Sequence, residues 1–237
     1  SGLSGMLASL EAVEIVGNNV ANVNTPGYSR QFARLSANPA INIHGHLIGQ
    51  GVGVQEISRE YNGFITNRIK EQNDLLGRES AKSGPLLELE RVLNIGDNSL
   101  ISTIEGFFAA WHDLAQNPAG YVERDRVLYE GDNLLGSFEQ KKEELINISQ
   151  NIDVELKAKV DEINLKMREI AELNDRIATE ESTGNISNLN RDRRDVLVQD
   201  LSRILGVQSY QAGEGKIGVQ LPGGIPLVQE GEAVVFE

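Results

Sequence analysis

The chain has no cysteine among its 237 residues, which excludes disulfides and thiolate metal sites. Aromatic residues make up only 5% of it, with a single tryptophan. That scarcity fits long helices better than a compact, aromatic-cored enzyme. Basic residues are outnumbered 22 to 35, giving a net charge of −13. No cluster of Lys and Arg stands out, so neither a nucleic-acid partner nor an anionic membrane surface is expected. No apolar run reaches the roughly 18–20 residues that span a bilayer, so no membrane insertion is expected. No basic segment precedes an apolar one, as a Sec-type signal peptide requires. An extracellular protein of this kind would leave the cell by another route.

What is present is helical periodicity. Leu3, Met6, Leu7, Leu10, Val13, Val16, Val20 and Val23 recur at spacings of three and four, predicting one apolar stripe on a helix over residues 1–24. Pro26 ends it, and Pro26-Gly27 suits the centre of a type II turn. Residues 31–60 carry short β-branched runs broken by Asn-Pro and Gly, predicting extended segments or a loose hairpin. Helices are expected over 61–82 and 86–93, separated at Gly84-Pro85, with a turn at 95–98. Ser99 is a reasonable N-cap for a helix through Gln116. From Tyr121 to Ser182 there is no proline, and Leu145, Ile148, Ile152, Leu156, Val160, Ile163, Met167, Ile170, Leu173 and Ile177 keep the same alternation. This predicts one long amphipathic helix in need of an antiparallel or coiled-coil partner. A return helix over 188–205 should face the core with Leu189, Val196, Leu197, Leu201, Ile204 and Leu205. After Gly206 the pattern turns to period two with Gly/Pro turns, predicting three or more strands. It stops in mid-sheet, which suggests a fragment of a longer chain. The expected fold is mainly α: an elongated bundle of long helices with an N-terminal helix (1–30), an extended linker (31–60), the bundle (61–206) and the start of a β-rich domain (207–237).

Little in the chain suggests chemistry. His44 and His46 could share one face of a strand, but no third ligand lies at suitable spacing, and His112 is remote. Gly49-Gln50-Gly51-Val52-Gly53 lacks the spacing of a dinucleotide loop, and Gly213-Glu214-Gly215-Lys216 lacks that of a phosphate loop; both read as turns. The carboxylates of the long helix interleave with Lys157, Lys159, Lys166 and Arg168, the pattern of a solvated face with i,i+4 pairs. No nucleophile signature is present. No enzyme activity, catalytic residue, cofactor or metal is expected.

The N-terminal helix is harder to explain. Residues 1–29 hold two charges, Glu11 and Glu14, and the face away from the apolar stripe is built of Ser, Gly, Ala and Asn. Such a face suggests close packing against other chains on both sides. Asn18, Asn19, Asn22 and Asn24 can donate and accept, so amides in a ring of identical subunits could satisfy one another. The alternative is a core helix of a monomer.

The same stretch, SGLSGMLASLEAVEIVGNNVANVNTPGYSRQ, resembles the N-terminal signature of the bacterial flagellar rod, hook and hook-associated axial proteins: an amphipathic helix followed by NN-ANxNTPGY. On that resemblance Asn18, Asn19, Asn22, Asn24, Thr25, Pro26, Gly27 and Tyr28 are the family motif and the candidate subunit-packing residues. GQGVGVQEISREYNGFITNRI is similar to a second family segment, with Asn62 where the family often has Asp. LISTIEGFFAAWHDLAQNPAGYVERDRVL and VDEINLKMREIAELNDRI are similar to helices of the hook-associated branch. The matches come in order along nearly the whole chain.

The resemblance implies a structural component of the flagellum that forms the hook–filament junction by ring assembly. Its implied partners are copies of itself, the hook protein, the second hook–filament junction protein and the flagellar type III export apparatus, through which it would leave the cell uncleaved. It implies an inner-tube role for residues 1–30 and a C-terminal helix, lacking here, that pairs with the N-terminal one. The alternatives are a hook or rod axial protein, a non-flagellar coiled-coil adaptor, or an enzyme whose site lies in a missing C-terminal part.

Overall fold

The computed structural model describes residues 2–44, 46–93 and 99–236. Its elements are α1 (Gly2–Ala21), β1 (Gln31–Ala37), β2 (Ile41–Ile43), β3 (His46–Ile48), β4 (Val52–Arg59), α2 (Gly63–Val92), α3 (Leu100–Gln116), α4 (Tyr121–Glu181), α5 (Asn188–Leu205), β5 (Gln208–Gly213), β6 (Lys216–Gln220), β7 (Pro226–Gln229) and β8 (Glu232–Ala233). The chain is mainly α with a C-terminal sheet, as its periodicity predicts. The turn expected at 95–98 lies outside the described residues. No helix among the described residues is long and apolar enough to cross a membrane. Contacts group the chain into two units, Ser1–Gly77 with Val160–Glu237, and Arg78–Lys159.

The first unit holds the main core. Ile163, Met167, Ile170 and Ala171 of α4 pack with Val198 and Leu201 of α5 and with Val207, Ile217, Val219, Leu227 and Val228 of the sheet. That sheet is a four-stranded antiparallel meander, β5-β6-β7-β8. Its first hairpin turns through Glu214 and Gly215, both at positive φ, the backbone a tight two-residue loop requires. α2 crosses α5 where Gly77 meets Arg203: a Cβ there would lie 1.8 Å from the Arg203 carbonyl oxygen. Two α4 asparagines bind backbone of the C-terminal segment, one at Ile217 in β6 and one at Phe236 past β8. Asn174 donates to the Ile217 carbonyl (2.8 Å) and accepts from the Ile217 N–H (3.1 Å). Asn164 does the same with Phe236, at 2.9 Å each way. The Asn174 oxygen also accepts from Arg194 Nη1 at 2.8 Å.

Residues 31–60 form two separate antiparallel pairs. β1 and β4 pair along their length, with a register shift at Arg34/Leu35, and β2 pairs with β3. Between α1 and β1 the Tyr28 N–H donates to the Thr25 carbonyl at 3.2 Å. Gly27 stands at φ 80°, as the third residue of a type II turn must. The turn sits on α5: a Cβ on Gly27 would lie 2.0 Å from Val196 Cγ2.

In the second unit, Ser99 caps α3 by accepting from the Ser102 N–H, as expected. Phe107 makes edge-on contacts with Phe108 and Trp111, and Arg124 closes the α3–α4 loop on the Pro118 carbonyl.

Three expectations need correction. Residues 61–82 and 86–93 are not two helices but one, α2, with Pro85 inside it. Proline removes only the rung to Ala81, and the rungs on either side carry the helix through. Its start is capped by Asn62, whose Oδ1 accepts from the Phe64 and Ile65 N–H groups; Asn serves there as well as the family's Asp. The long α4 stripe is not buried throughout: Ile163 to Ile177 are core, whereas Leu145, Ile152 and Leu156 are exposed. In α5, Leu189 is 68% exposed, and Asp192 and Arg194 point inward instead, drawn there by polar partners.

The α4–α5 turn is held by Glu181. Its carboxylate takes Arg191 Nε and Nη2 at 2.6 and 2.5 Å and the Ser187 N–H. Burial opposes ionisation of Glu181, but these hydrogen bonds and the Arg191 charge outweigh it, and its pKa lies below the ordinary 4.5.

Four outcomes follow from this packing. Gly27→Ala should destabilise the chain by about 2–4 kcal/mol in urea unfolding, through both φ strain and the clash. Adding Val196→Ala should make the effect of Gly27→Ala smaller, since only the φ strain remains. Asn174→Leu should cost about 2–4 kcal/mol, because it strands the Ile217 peptide groups and Arg194. A depressed carboxyl pKa contributes stability above the unfolded value that is lost as pH falls through the folded one. The gap between wild type and Glu181→Gln, about 1–2 kcal/mol at pH 7, should therefore shrink as pH falls below the ordinary carboxyl value of 4.5, as urea midpoints across that range will show.

Candidate functional site

The N-terminal helix presents the arrangement opposite to a core helix. α1 lies along β1 and β4, and the residues it buries there are Ala8 and Ile15. Ser4, Gly5, Ala12, Asn19 and Asn22 on that side are half-buried. Leu3, Met6, Leu7, Leu10, Val13, Val16, Val20 and Val23 are all exposed, at 58–75%. The small-residue face, expected against neighbouring chains, packs on the chain's own hairpin. Small side chains permit that close approach, and the larger apolar ones are left outward. Where α1 passes β1, an apolar groove of about 530 Å³ opens, lined by Ile15, Val16, Val20, Val23, Phe32 and Leu35 among others.

The motif residues divide into two groups. Asn19 is satisfied inside the chain. Its amide donates to the Gln31 carbonyl at 2.8 Å and its oxygen accepts from the Gln31 N–H at 2.8 Å. That oxygen also accepts from the Tyr28 hydroxyl at 3.0 Å. Burial, and then the Asp192 charge, push the Tyr28 phenol above its ordinary pKa, so it stays a neutral donor. Asn22 donates back to the Asn18 carbonyl and accepts from the Thr25 hydroxyl, which finishes the helix end. Pro26 and Gly27 make the turn. Asn18 and Asn24 are exposed, and their side-chain amides have no hydrogen-bond partner among the described residues.

The chain just past the motif is held by charge. The Ser29 N–H donates to Asp192 at 2.8 Å. Arg59, at the end of β4, reaches Asp192 at 2.6 Å and Asp195 at 2.7 Å, and its guanidinium lies 4.7 Å over the Tyr61 ring. Burial opposes the Arg59 charge, but the two carboxylates outweigh it and raise its pKa. Asn188 donates to the Ile57 carbonyl at 2.5 Å. The turn, β4 and α5 are thus joined through one buried polar cluster.

The other candidates gather no site. His44 stands at positive φ in the β2–β3 turn, and His46 opens β3. No group of three His, Asp or Glu among the described residues could hold a metal. Gly51 is a positive-φ turn glycine before β4, and Gly213–Lys216 is the β5–β6 hairpin. Sequence reasoning missed Ile15, which lies off the apolar stripe, and the inward Asp192 and Arg194. The one usable signal was for Asp192, which shares a helix face with Asp195, three residues on.

Comparison with known proteins agrees with this geometry. Residues 86–237 match the model of the flagellar hook-associated protein FlgK helical domain, and residues 1–28 match that of the flagella basal body rod protein. The chain is 28% identical over 230 residues to flagellar hook-associated protein 1 of Escherichia coli, covering 96% of this chain and 42% of that protein. It is 30% identical over 217 residues to flagellar hook-associated protein 1 of Bacillus subtilis, covering 88% and 43%. It therefore spans about two fifths of the length of these relatives. The structure of the flagellar hook junction protein FlgK from Burkholderia pseudomallei superposes with a TM-score of 0.65 at 24% identity, over 70% of this chain and 29% of that one, a likeness of fold. With the helical-domain model matching well over half of its length, the chain belongs to the FlgK family of flagellar hook-associated proteins.

Proposed function

We propose that this chain is a structural, non-enzymatic subunit of the bacterial flagellum, and that it forms the junction between hook and filament by ring assembly. Family membership supports the flagellar role. The observation that carries the assembly reading is the outward stripe of α1: seven large apolar side chains, continued by Val23 just past its end, exposed on a helix whose opposite face is already engaged. Contiguous exposed apolar surface of this kind marks an interaction site, and low charge allows dense packing of copies. On this reading residues 1–30 line the inner layer, and the stripe is covered by neighbouring copies and by a terminal helix from the remainder of the protein. Asn18 and Asn24 offer free amides to neighbours, whereas Asn19, Asn22, Thr25, Pro26, Gly27 and Tyr28 serve assembly indirectly, by fixing how α1 is presented. Hook protein and the second junction protein are the partners on either side. Export runs through the flagellar type III apparatus, so the protein's place is extracellular.

The test uses the full-length flagellar protein in cells. Leu10→Glu with Val13→Glu changes two outward residues, so the folded monomer should keep its stability within about 0.5 kcal/mol. The variant should be exported into the medium yet absent from isolated hooks, leaving cells without filaments and non-motile. A Leu10→Met control should assemble normally. Normal filament growth by the double variant would overturn the assignment of α1 to the assembly interface.

A further inference from the structure

The first unit contains a second site unrelated to the apolar stripe. A cavity of about 450 Å³ lies among the start of α2, the start of α5 and strand β5, and its lining includes Arg59, Lys70, Arg191, Arg194, Asp195 and Ser209. Four cations line this cavity against two carboxylates, Glu56 and Asp195, in a chain of net charge −13. Two of them are neutralised by contact: Arg59 by Asp192 and Asp195, and Arg191 by Glu181. The other two have no carboxylate in direct contact, although Asp195 lies near enough to favour both charges. Lys70 is 7% exposed, and its ammonium donates to the Ser209 hydroxyl at 2.8 Å; no carboxylate among the described residues forms an ion pair with it. Arg194 is 3% exposed. Its Nη1 donates to the Asn174 side chain and the Gly215 carbonyl, and its buried Nε has no acceptor among the described residues. Glu56, also on the lining, is held by the Ser58 hydroxyl.

Taking a charge out of water is costly unless an opposite charge or several hydrogen bonds compensate it. An ammonium has three donors, and Lys70 uses one. We propose that this cavity binds a single small oxyanion, whose oxygens accept from the Lys70 ammonium and the Arg194 guanidinium, with Ser209 orienting the lysine. The shared chemistry is that of phosphate, sulfate or a lone carboxylate. A chloride ion meets it poorly, because it lacks several separated acceptor atoms.

The experiment is thermal unfolding of the 237-residue chain in phosphate, sulfate or acetate, each against chloride at equal ionic strength. It is repeated on Lys70→Met and on Ser209→Asp, which supplies a carboxylate in place of the ligand. At roughly ten times the dissociation constant a specific ligand should raise Tm by about 3–6 °C. Phosphate and sulfate also stabilise proteins non-specifically by exclusion from the surface, and that part should persist in both variants. The expected result is an excess shift in the wild type that both variants lose, with Ser209→Asp more stable than wild type in chloride. The anion giving the largest excess identifies the source, phosphate or sulfate from solution against a carboxylate. Equal shifts in wild type and Ser209→Asp, or no oxyanion exceeding chloride, would overturn the site. If Lys70→Met does not fold, the Ser209→Asp comparison decides alone.

Discussion

A primary amide carries the same donor and acceptor as a peptide group, and three asparagines among the described residues use that equivalence. Asn19, Asn164 and Asn174 each donate to the carbonyl and accept from the N–H of a single residue outside their own helix: Gln31, Phe236 and Ile217. Each therefore acts as a one-residue strand. Unpaired N–H and C=O groups at a strand end or edge must find partners when helices cover them. A side-chain amide supplies both at once, at a fixed distance from the helix that bears it. The pair sets translation and rotation together, which an apolar contact does not.

For α1 that constraint decides everything downstream. Asn19 fixes the helix against Gln31, and Ala8 and Ile15 lie on the same side. With that side directed at the hairpin, the Leu/Val stripe has only the outward direction left. The Arg59–Asp192–Asp195 cluster then fixes the hairpin to α5, so the orientation of α1 passes into the main core by polar links. Buried ion pairs contribute little net stability but exclude misregistered arrangements, which would leave charges unpaired. The polar cluster thus specifies a geometry, and the core of α4, α5 and the sheet supplies the stability that holds it.

Much of the fold was legible in the sequence because its signals are local. The 3/4 alternation placed α1, α3, α4 and α5, Ser99 marked a cap, Pro26-Gly27 marked a turn, and period two marked the sheet. What escaped depended on partners distant in sequence. Nothing near Asp192 announces that Ser29 and Arg59 will meet it. The break expected at Pro85 gave too much weight to one lost hydrogen bond in a 30-residue helix. Periodicity also says that a helix has an apolar face without saying what covers it. Hence the α4 stripe reads as continuous although Leu145 to Leu156 are largely uncovered, and the stripe of α1 suits an interface between chains or a monomer core alike. The amides of NNVANVNTPGY looked alike in sequence, and only the fold separates Asn19, a backbone mimic, from the exposed Asn18 and Asn24.

Holding α1 by its small-residue side has an energetic consequence. Had the Leu/Val face docked on the hairpin, the helix would be more stably attached in the monomer, and association would first have to detach it. Docked through Asn19, Ala8 and Ile15, the helix keeps its apolar energy in reserve. A fully buried side chain of this type is worth about 1.5–3 kcal/mol. Covering the exposed parts of eight of them would release on the order of 10 kcal/mol, before the loss of translational and rotational freedom on association. That is comparable to the whole stability of an ordinary domain. A chain built this way folds without using its largest apolar surface, and the interior contacts of Asn19, Ala8 and Ile15 decide that this surface faces outward.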